Sequence, residues 1–317
     1  MAERGKVLIT GGFGYLGGRL IEGLIPHVDL LISSRVGKSN TSEFLVPNVT
    51  IIEHSSLLVE NTFPDNVSTV IHLAALNEID CVAHPELAIE VNINQTRKIL
   101  ENSIKRNVKS FIYFSTMHVY GKNLTGLIKE TSPTRPTHPY SITHRTAEDY
   151  VNAAHDQGRI RGIVLRLSNS FGAPVNPNVN RWTLLVNDIC RQAVMDSRIK
   201  LTSNGCQYRD FITLSDVVNS VLHLINFDVS GQENIFNLSL GKSISVLEMA
   251  NKVAAISAEV LKIDVGVLVP EGSKPTSESY YEISSQRLSS TGFALDNRVD
   301  EELTRMVKFC MIHFSSK

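Results

Sequence analysis

The four cysteines of this 317-residue chain, Cys81, Cys190, Cys206 and Cys310, are few and scattered, and none forms a C-x-x-C pair. That excludes a zinc knuckle, a redox dithiol and a disulfide-stapled small fold, and leaves them as reduced packing residues. Net charge is equally scarce. A formal charge of −1 gives no broad positive field for nucleic acid or an anionic membrane, so any Arg or Lys in a site acts locally. No apolar run approaches the ~18 residues of a membrane span. No h-region lies between Met1 and the strand-like Val7-Leu8-Ile9, so a cytoplasmic protein without nucleic-acid or membrane partners is expected. Internal repeats and low-complexity tracts are missing. His27, His84, His138, His155, His223 and His313 show no metal-ligand spacing, so no metal is expected.

What is present is an ordinary globular composition, 42% hydrophobic and 20% charged, in a chain long enough for one large or two smaller domains. Short β-branched runs alternate with helical patterns. Strands are expected at Lys6 to Thr10, Asp29 to Ser33, Val49 to Glu53, Val70 to Leu73, Ser110 to Phe114 and Gly162 to Leu167. Helices are expected up to about Ile25, over Ile89 to Arg106 and over Tyr140 to Ala154. This rhythm builds a doubly wound parallel α/β sheet covered on both faces. After Ser170 the alternation becomes irregular. A dinucleotide-binding domain over 1–170, joined by a strand-and-helix return at about 208–230, is expected. A smaller C-terminal substrate-binding region would comprise 171–207 and 231–317.

Thr10-Gly11-Gly12-Phe13-Gly14-Tyr15-Leu16-Gly17 follows the first strand directly and opens a helix carrying Leu16, Leu20 and Leu24 on one face. Gly11, Gly14 and Gly17 permit a tight turn, a close approach of backbone to pyrophosphate and close helix-to-strand packing. Phosphate would then sit on a helix N-terminus, the Rossmann arrangement, with Tyr15 and Leu16 beside it. At the end of the second strand, where an acid usually holds the adenosine ribose of NAD, Ser33-Ser34-Arg35 stands with Lys38 nearby. Small hydroxyls with Arg and Lys suit a 2′-phosphate, which favours NADP, with NAD as the alternative.

Further segments resemble the extended short-chain dehydrogenase/reductase family, the sugar-nucleotide epimerases, dehydratases and reductases. They are Val70-Ile71-His72-Leu73-Ala74-Ala75, Val91-Asn92-Ile93-Asn94, Phe114-Ser115-Thr116 with Val119-Tyr120-Gly121, Pro139-Tyr140-Ser141, Arg166 with Asn169, and Arg209-Asp210-Phe211. The resemblance implies that Thr116 and Tyr140 flank the reacting carbon, with Tyr140 exchanging a proton with the sugar oxygen while hydride passes to or from a nicotinamide. It also implies cofactor contacts from Leu73, Ala74 and Ala75. Asn169 and Arg209 would bind the nucleotide diphosphate, and a homodimer would form through the helices around 89–106 and 140–154. Arg181, next to the lone Trp182 in the irregular region, is a further substrate-binding candidate; Trp182 either stacks on a base or packs the domain.

Two departures matter. The family's tyrosine is followed four residues later by lysine, and here His144 stands on the same helical face, shorter and mostly neutral near pH 7. Arg145 is rotated about 100° away. The dehydratase branch carries an Asp-Glu pair after the active hydroxyl residue; Met117-His118 replaces it, which argues against dehydration and leaves His118 as a base or a hydrogen-bonding group. Losing the lysine harms reduction less than oxidation. The expected activity is therefore NADP-dependent reduction of a 4-keto sugar nucleotide. The alternatives are a sugar-nucleotide epimerase with tightly held NAD and a non-enzymatic dinucleotide sensor or scaffold.

Overall fold

The computed structural model describes residues 5–35, 49–228, 233–270 and 279–315. The first strand, β1 (Lys6–Thr10), leads through the glycine loop into α1 (Tyr15–Leu24), then β2 (Leu30–Ser34), β3 (Val49–Glu53) and β4 (Val67–His72). After β4 come α2 (Glu78–Ala83), α3 (Pro85–Ala88), a π-helical segment Ile89–Gln95, α4 (Thr96–Lys105) and β5 (Ser110–Thr116). A 3₁₀ turn (Met117–Tyr120), β6 (Gly126–Ile128), α5 (Pro139–Asp156) and β7 (Arg161–Leu167) follow. The remainder comprises β8 (Asn169–Phe171), α6 (Leu185–Asp196), β9 (Arg198–Lys200), β10 (Tyr208–Thr213), α7 (Leu214–Asn226), β11 (Ile235–Leu238) and β12 (Ser243–Ser245). It ends with α8 (Val246–Leu261), β13 (Gly266–Leu268), β14 (Tyr281–Ile283), α9 (Gln286–Ser289) and α10 (Val299–Phe314).

The chain forms two compact units. The first comprises 1–122, 130–167 and 221–237; the second comprises 123–129, 168–220 and 238–317. The first holds a seven-stranded sheet in the order β11-β7-β5-β4-β1-β2-β3, the doubly wound arrangement that the alternation of runs predicts. The pairs from β7 to β3 are parallel. The strands are near-continuous apolar runs because helices cover the sheet: Leu8, Val70, Phe111 and Val164 pack with Ile99, Leu100, Ala147 and Val151 of α4 and α5.

Two expectations shift. The helix expected over 89–106 is the π segment followed by α4, a change that apolar periodicity does not reveal. The strand expected to return to the large sheet near 208 instead pairs with β8 and β12 in a three-stranded sheet; the edge strand beside β7 is β11. In the second unit α6, α8 and α10 pack around Cys190, Met249, Val253, Met306 and Cys310. The cysteines of the chain are free, and among the described residues no helix is long and apolar enough to cross a membrane.

Candidate active site

The glycine loop fits the backbone so closely that side chains are excluded from it. Gly11 has φ +69°, and a Cβ there would lie 3.0 Å from Ala74 N. A Cβ on Gly17 would fall on the Gly11 carbonyl oxygen and 2.5 Å from Gly12 Cα, and one on Gly14 would lie 3.2 Å from Gly11 O. Gly14 precedes the first turn of α1, Tyr15 is buried at its start, and Leu16 is half-exposed; Gly17, Leu20, Ile21 and Leu24 form the inward face. Leu16 is thus not part of the packed stripe expected for it. A cradle of this kind, with backbone N–H groups and a helix N-terminus, accepts a pyrophosphate.

Behind the loop runs a buried chain of hydrogen bonds. Thr10 Oγ1 accepts from Leu73 N and Ala74 N at 3.1 and 3.2 Å, and lies 2.8 Å from His72 Nδ1. His72 Nε2 lies 2.9 Å from Thr96 Oγ1, which itself donates to Asn92 O. With the Thr96 proton committed, Nε2 must donate and Nδ1 must accept from Thr10, so His72 is neutral with its proton on Nε2. Burial pushes its pKa down to about 3. Asn92, in the π segment, accepts from Leu76 N through Oδ1 and donates from Nδ2 to Thr143 Oγ1 at 3.0 Å; Thr143 Oγ1 donates to Tyr140 O. The wider turn of the π segment sets Asn92 between these partners. The glycine loop is therefore tied, through His72 and Asn92, to the first turn of α5. In the sequence Asn92 stands only within a family segment, with no role of its own. Ala75 follows this chain and is half-exposed.

At the start of α5, Tyr140 N donates to His138 Nδ1 at 3.2 Å, and the Tyr140 ring is half-exposed. His144 lies one turn on. Its ring meets that of Tyr140 edge-on with centroids 4.4 Å apart, and its Nδ1 is 2.8 Å from Tyr113 Oη. It is 4% exposed, and its Nε2 is buried without a hydrogen-bond partner among the described residues. Burial lowers its pKa to about 3, and the charge of His118 pushes the same way, against a smaller opposing pull from the Phe114 backbone. His118 is exposed, and Thr116, buried at the end of β5, accepts from His118 N through Oγ1 at 3.2 Å. Met117 is buried. Arg145 donates to Thr134 and Asp149, so its charge is engaged away from the lysine's role.

Sequence reasoning missed two residues beneath Tyr140. Glu148, fully buried on the same helical face as His144, takes a bidentate contact from Arg166 and accepts from Ser115 Oγ at 2.5 Å. Tyr113 packs between His72 and His144. The signal was a register match: polar residues two apart on β5, Tyr113 and Ser115, meet polar residues four apart on α5, His144 and Glu148.

Ser33 and Ser34 are buried at the tip of β2 and Arg35 is exposed; Lys38 lies outside the described residues. Ser33 Oγ is 3.2 Å from His54 Nδ1, and His54 Nε2 is 3.3 Å from Gln95 Oε1. Ser33 is thus committed to an imidazole. Burial lowers the pKa of His54, the hydrogen bond to Gln95 opposes this, and Arg35 contributes to the lowering.

Asn169, Arg181 and Arg209 belong to the second unit. Asn169 Nδ2 donates to Asp210 O at 2.8 Å, tying β8 to β10. Asp210 is held by Ser168 Oγ and by Leu240 N and Gly241 N, and burial pushes its pKa up to about 7. Asp216 accepts from Thr213 Oγ1 and Asp296 N. Arg209 is half-buried, and its Nε is buried without a hydrogen-bond partner among the described residues. Arg181 is half-buried and accepts from Asn187 Nδ2 through its carbonyl. Trp182 donates to Pro177 O and packs against Phe309 and Phe314, a packing role.

The sheet order and the glycine cradle between β1 and α1 define a Rossmann-type α/β fold. Residues 7–239 match the NAD dependent epimerase/dehydratase family, and the chain belongs to it. It is 24% identical over 310 residues to the dTDP-D-glucose 4,6-dehydratase of Bos taurus, covering 91% of this chain and 83% of that protein. It is 27% identical over 262 residues to the UDP-glucose 4-epimerase of Halalkalibacterium halodurans, covering 77% and 78%. Among solved structures, MoeE5 in complex with UDP-glucose and NAD superposes with a TM-score of 0.76 at 22% identity, covering 96% of this chain and 98% of that one.

Proposed function

We propose that the chain binds a nicotinamide dinucleotide in the Gly11, Gly14 and Gly17 cradle and epimerises a nucleotide-activated sugar. The observation that carries this reading is the combination, inside one unit, of that cradle with Tyr140 one turn from an unpartnered imidazole nitrogen. Both fit the group: the cradle has no room for side chains, and the buried Nε2 lacks a protein partner. The dinucleotide would supply hydride acceptance and return. Tyr140 takes and gives back the proton of the sugar hydroxyl, and Thr116 holds that oxygen in line. Arg209 is assigned to the diphosphate because a guanidinium suits phosphate oxygens and its Nε has no partner among the described residues, with Asn169 and Arg181 as further substrate contacts. Epimerisation leads over reduction because the relatives include epimerases and a solved neighbour holds NAD with UDP-glucose.

Reduction of a keto-sugar nucleotide with NADPH is the second reading. It is favoured by a neutral His144, which does not help to ionise Tyr140, and by Arg35 at the end of β2 without an acid beside it on that strand. One experiment separates them: measure the dinucleotide that copurifies, then titrate NAD(H) and NADP(H) by calorimetry on wild type and Arg35→Ala. Copurified NAD with sugar interconversion and no net cofactor use supports the epimerase. An NADPH preference of at least about tenfold, about 1.4 kcal/mol, abolished in Arg35→Ala, supports the reductase. Absence of any dinucleotide binding refutes both. We also propose a homodimer through the exposed apolar side chains of the first unit, Ile79, Val82, Leu87, Ile89 and Ile142, to be checked by light scattering.

A further inference from the structure

Tyr113 lies in the middle of β5 with 2% of its surface exposed, and among the described residues the one hydrogen-bond partner of its hydroxyl is His144 Nδ1 at 2.8 Å. A phenol buried this completely must donate its proton, because an unsatisfied buried O–H is costly. If Nδ1 carried a hydrogen, the phenol O–H would have no acceptor. The satisfied arrangement is Tyr113 O–H donating to Nδ1, which leaves the proton of a neutral imidazole on Nε2.

The surroundings keep the ring neutral. Tyr113 and the Phe114 carbonyl face it from β5, Tyr140 from its own helix, and His118 from the turn after β5. His72 lies close enough for the charges of the two imidazoles to repel. None of these is a carboxylate, and burial holds the pKa near 3. The Nε2–H group is buried and makes no hydrogen bond among the described residues.

We infer that Tyr113 is a positioning residue. Its hydroxyl fixes His144 as the Nε2–H tautomer, so that this chain presents a neutral N–H donor, one helical turn from Tyr140, to an oxygen acceptor of a bound ligand. The inference rests on the proposed dinucleotide reading for the identity of that ligand; the tautomer itself does not depend on it. Sequence patterning hid this role, since a tyrosine in FIYFS reads as a core strand residue.

The test is nitrogen-15 NMR of protein labelled at the histidine rings, with His144→Gln identifying the signal. In wild type near pH 7.5, Nδ1 of His144 is expected to resonate as an unprotonated nitrogen and Nε2 as an N–H. In Tyr113→Phe, which keeps the ring's bulk, the two tautomers should mix or reverse. NAD affinity should fall about fivefold, the weight of one neutral hydrogen bond. A protonated Nδ1 in wild type, an unchanged spectrum in Tyr113→Phe, or a switched tautomer with unchanged NAD affinity overturns the inference. If neither protein binds NAD or NADP while the tautomer still switches, the proposed function fails and the positioning of His144 stands.

Discussion

The rings of Tyr140 and His144 meet edge-on, 4.4 Å between centroids, and the imidazole brings no charge to the phenol. A phenol has a reference pKa near 10, so its ionisation at neutral pH needs a nearby cation or another stabilising group. The rate of sugar oxidation is therefore expected to rise with pH through the neutral range. His144→Lys places an ammonium one turn from Tyr140 and should move that rise down by about one pH unit or more. The check is kcat against pH for both proteins. A profile that does not move in His144→Lys would show that ionisation of Tyr140 does not limit the rate.

Tyr140→Phe removes the proton carrier but keeps the ring against His144. Turnover is expected to fall by about 10²- to 10⁴-fold. Calorimetry should show dinucleotide affinity within a few-fold of wild type, because the glycine cradle is untouched.

Gly17→Ala acts on binding instead. Its Cβ would press on the Gly11 carbonyl and on Gly12 Cα, both backbone atoms that cannot rotate away. Stability should drop by about 1–3 kcal/mol, as overpacking does elsewhere, and dinucleotide binding should be lost with it. Urea unfolding and calorimetry on the same sample measure the two effects.

How far the sequence discloses this site depends on the residue. The cradle is legible because glycines three apart after an apolar strand have few other uses, and β1 and β3 fall where their apolar runs end. Tyr140 and His144 are legible as one face of one helix. The π segment is not, because its extra residue per turn serves Asn92, whose partners Leu76 and Thr143 are remote in the chain. Tyr113 and Glu148 escape for a related reason: a strand tyrosine and a helix glutamate look like core and surface until the pairing of β5 with α5 is known. Trp182 fits a ligand-binding pattern, but the structure packs it against Phe309 and Phe314.

The ion pair of Arg166 and Glu148 is almost wholly enclosed, with side chains 3% and 0% exposed and N to O 2.8 Å. Tyr120 Oη and the Glu130 carbonyl complete the guanidinium's contacts, and Ser115 completes the carboxylate's. Removing one partner strands the other charge in the interior. Glu148→Met and Arg166→Met should each cost about 3–5 kcal/mol in chemical denaturation. The double variant Glu148→Met with Arg166→Met should cost clearly less than their sum. Additive costs would show that the two side chains act independently.

Two buried histidines make the fold sensitive to mild acid. His72 and His144 titrate near pH 3 in the folded protein against 6.5 in their ordinary state, so protons bind preferentially to the unfolded chain. For a group with a depressed folded pKa, the stability it contributes is present above the unfolded pKa and lost as pH falls toward the folded one. The window thus opens near pH 6.5 and extends down to about 3. Between pH 7.5 and 5.5 each imidazole should remove about 1.4 kcal/mol, while Asp210, whose folded pKa is raised to about 7, takes up its proton preferentially in the folded protein and offsets part of that loss. Urea midpoints at those two pH values measure the loss. His144→Gln, which cannot titrate, should lose about 1.4 kcal/mol less stability than wild type over this window, since the other titrating groups are common to both proteins; the same pH dependence in this variant would mean that His144 is solvated and ordinary, contrary to its place between Tyr113 and Tyr140.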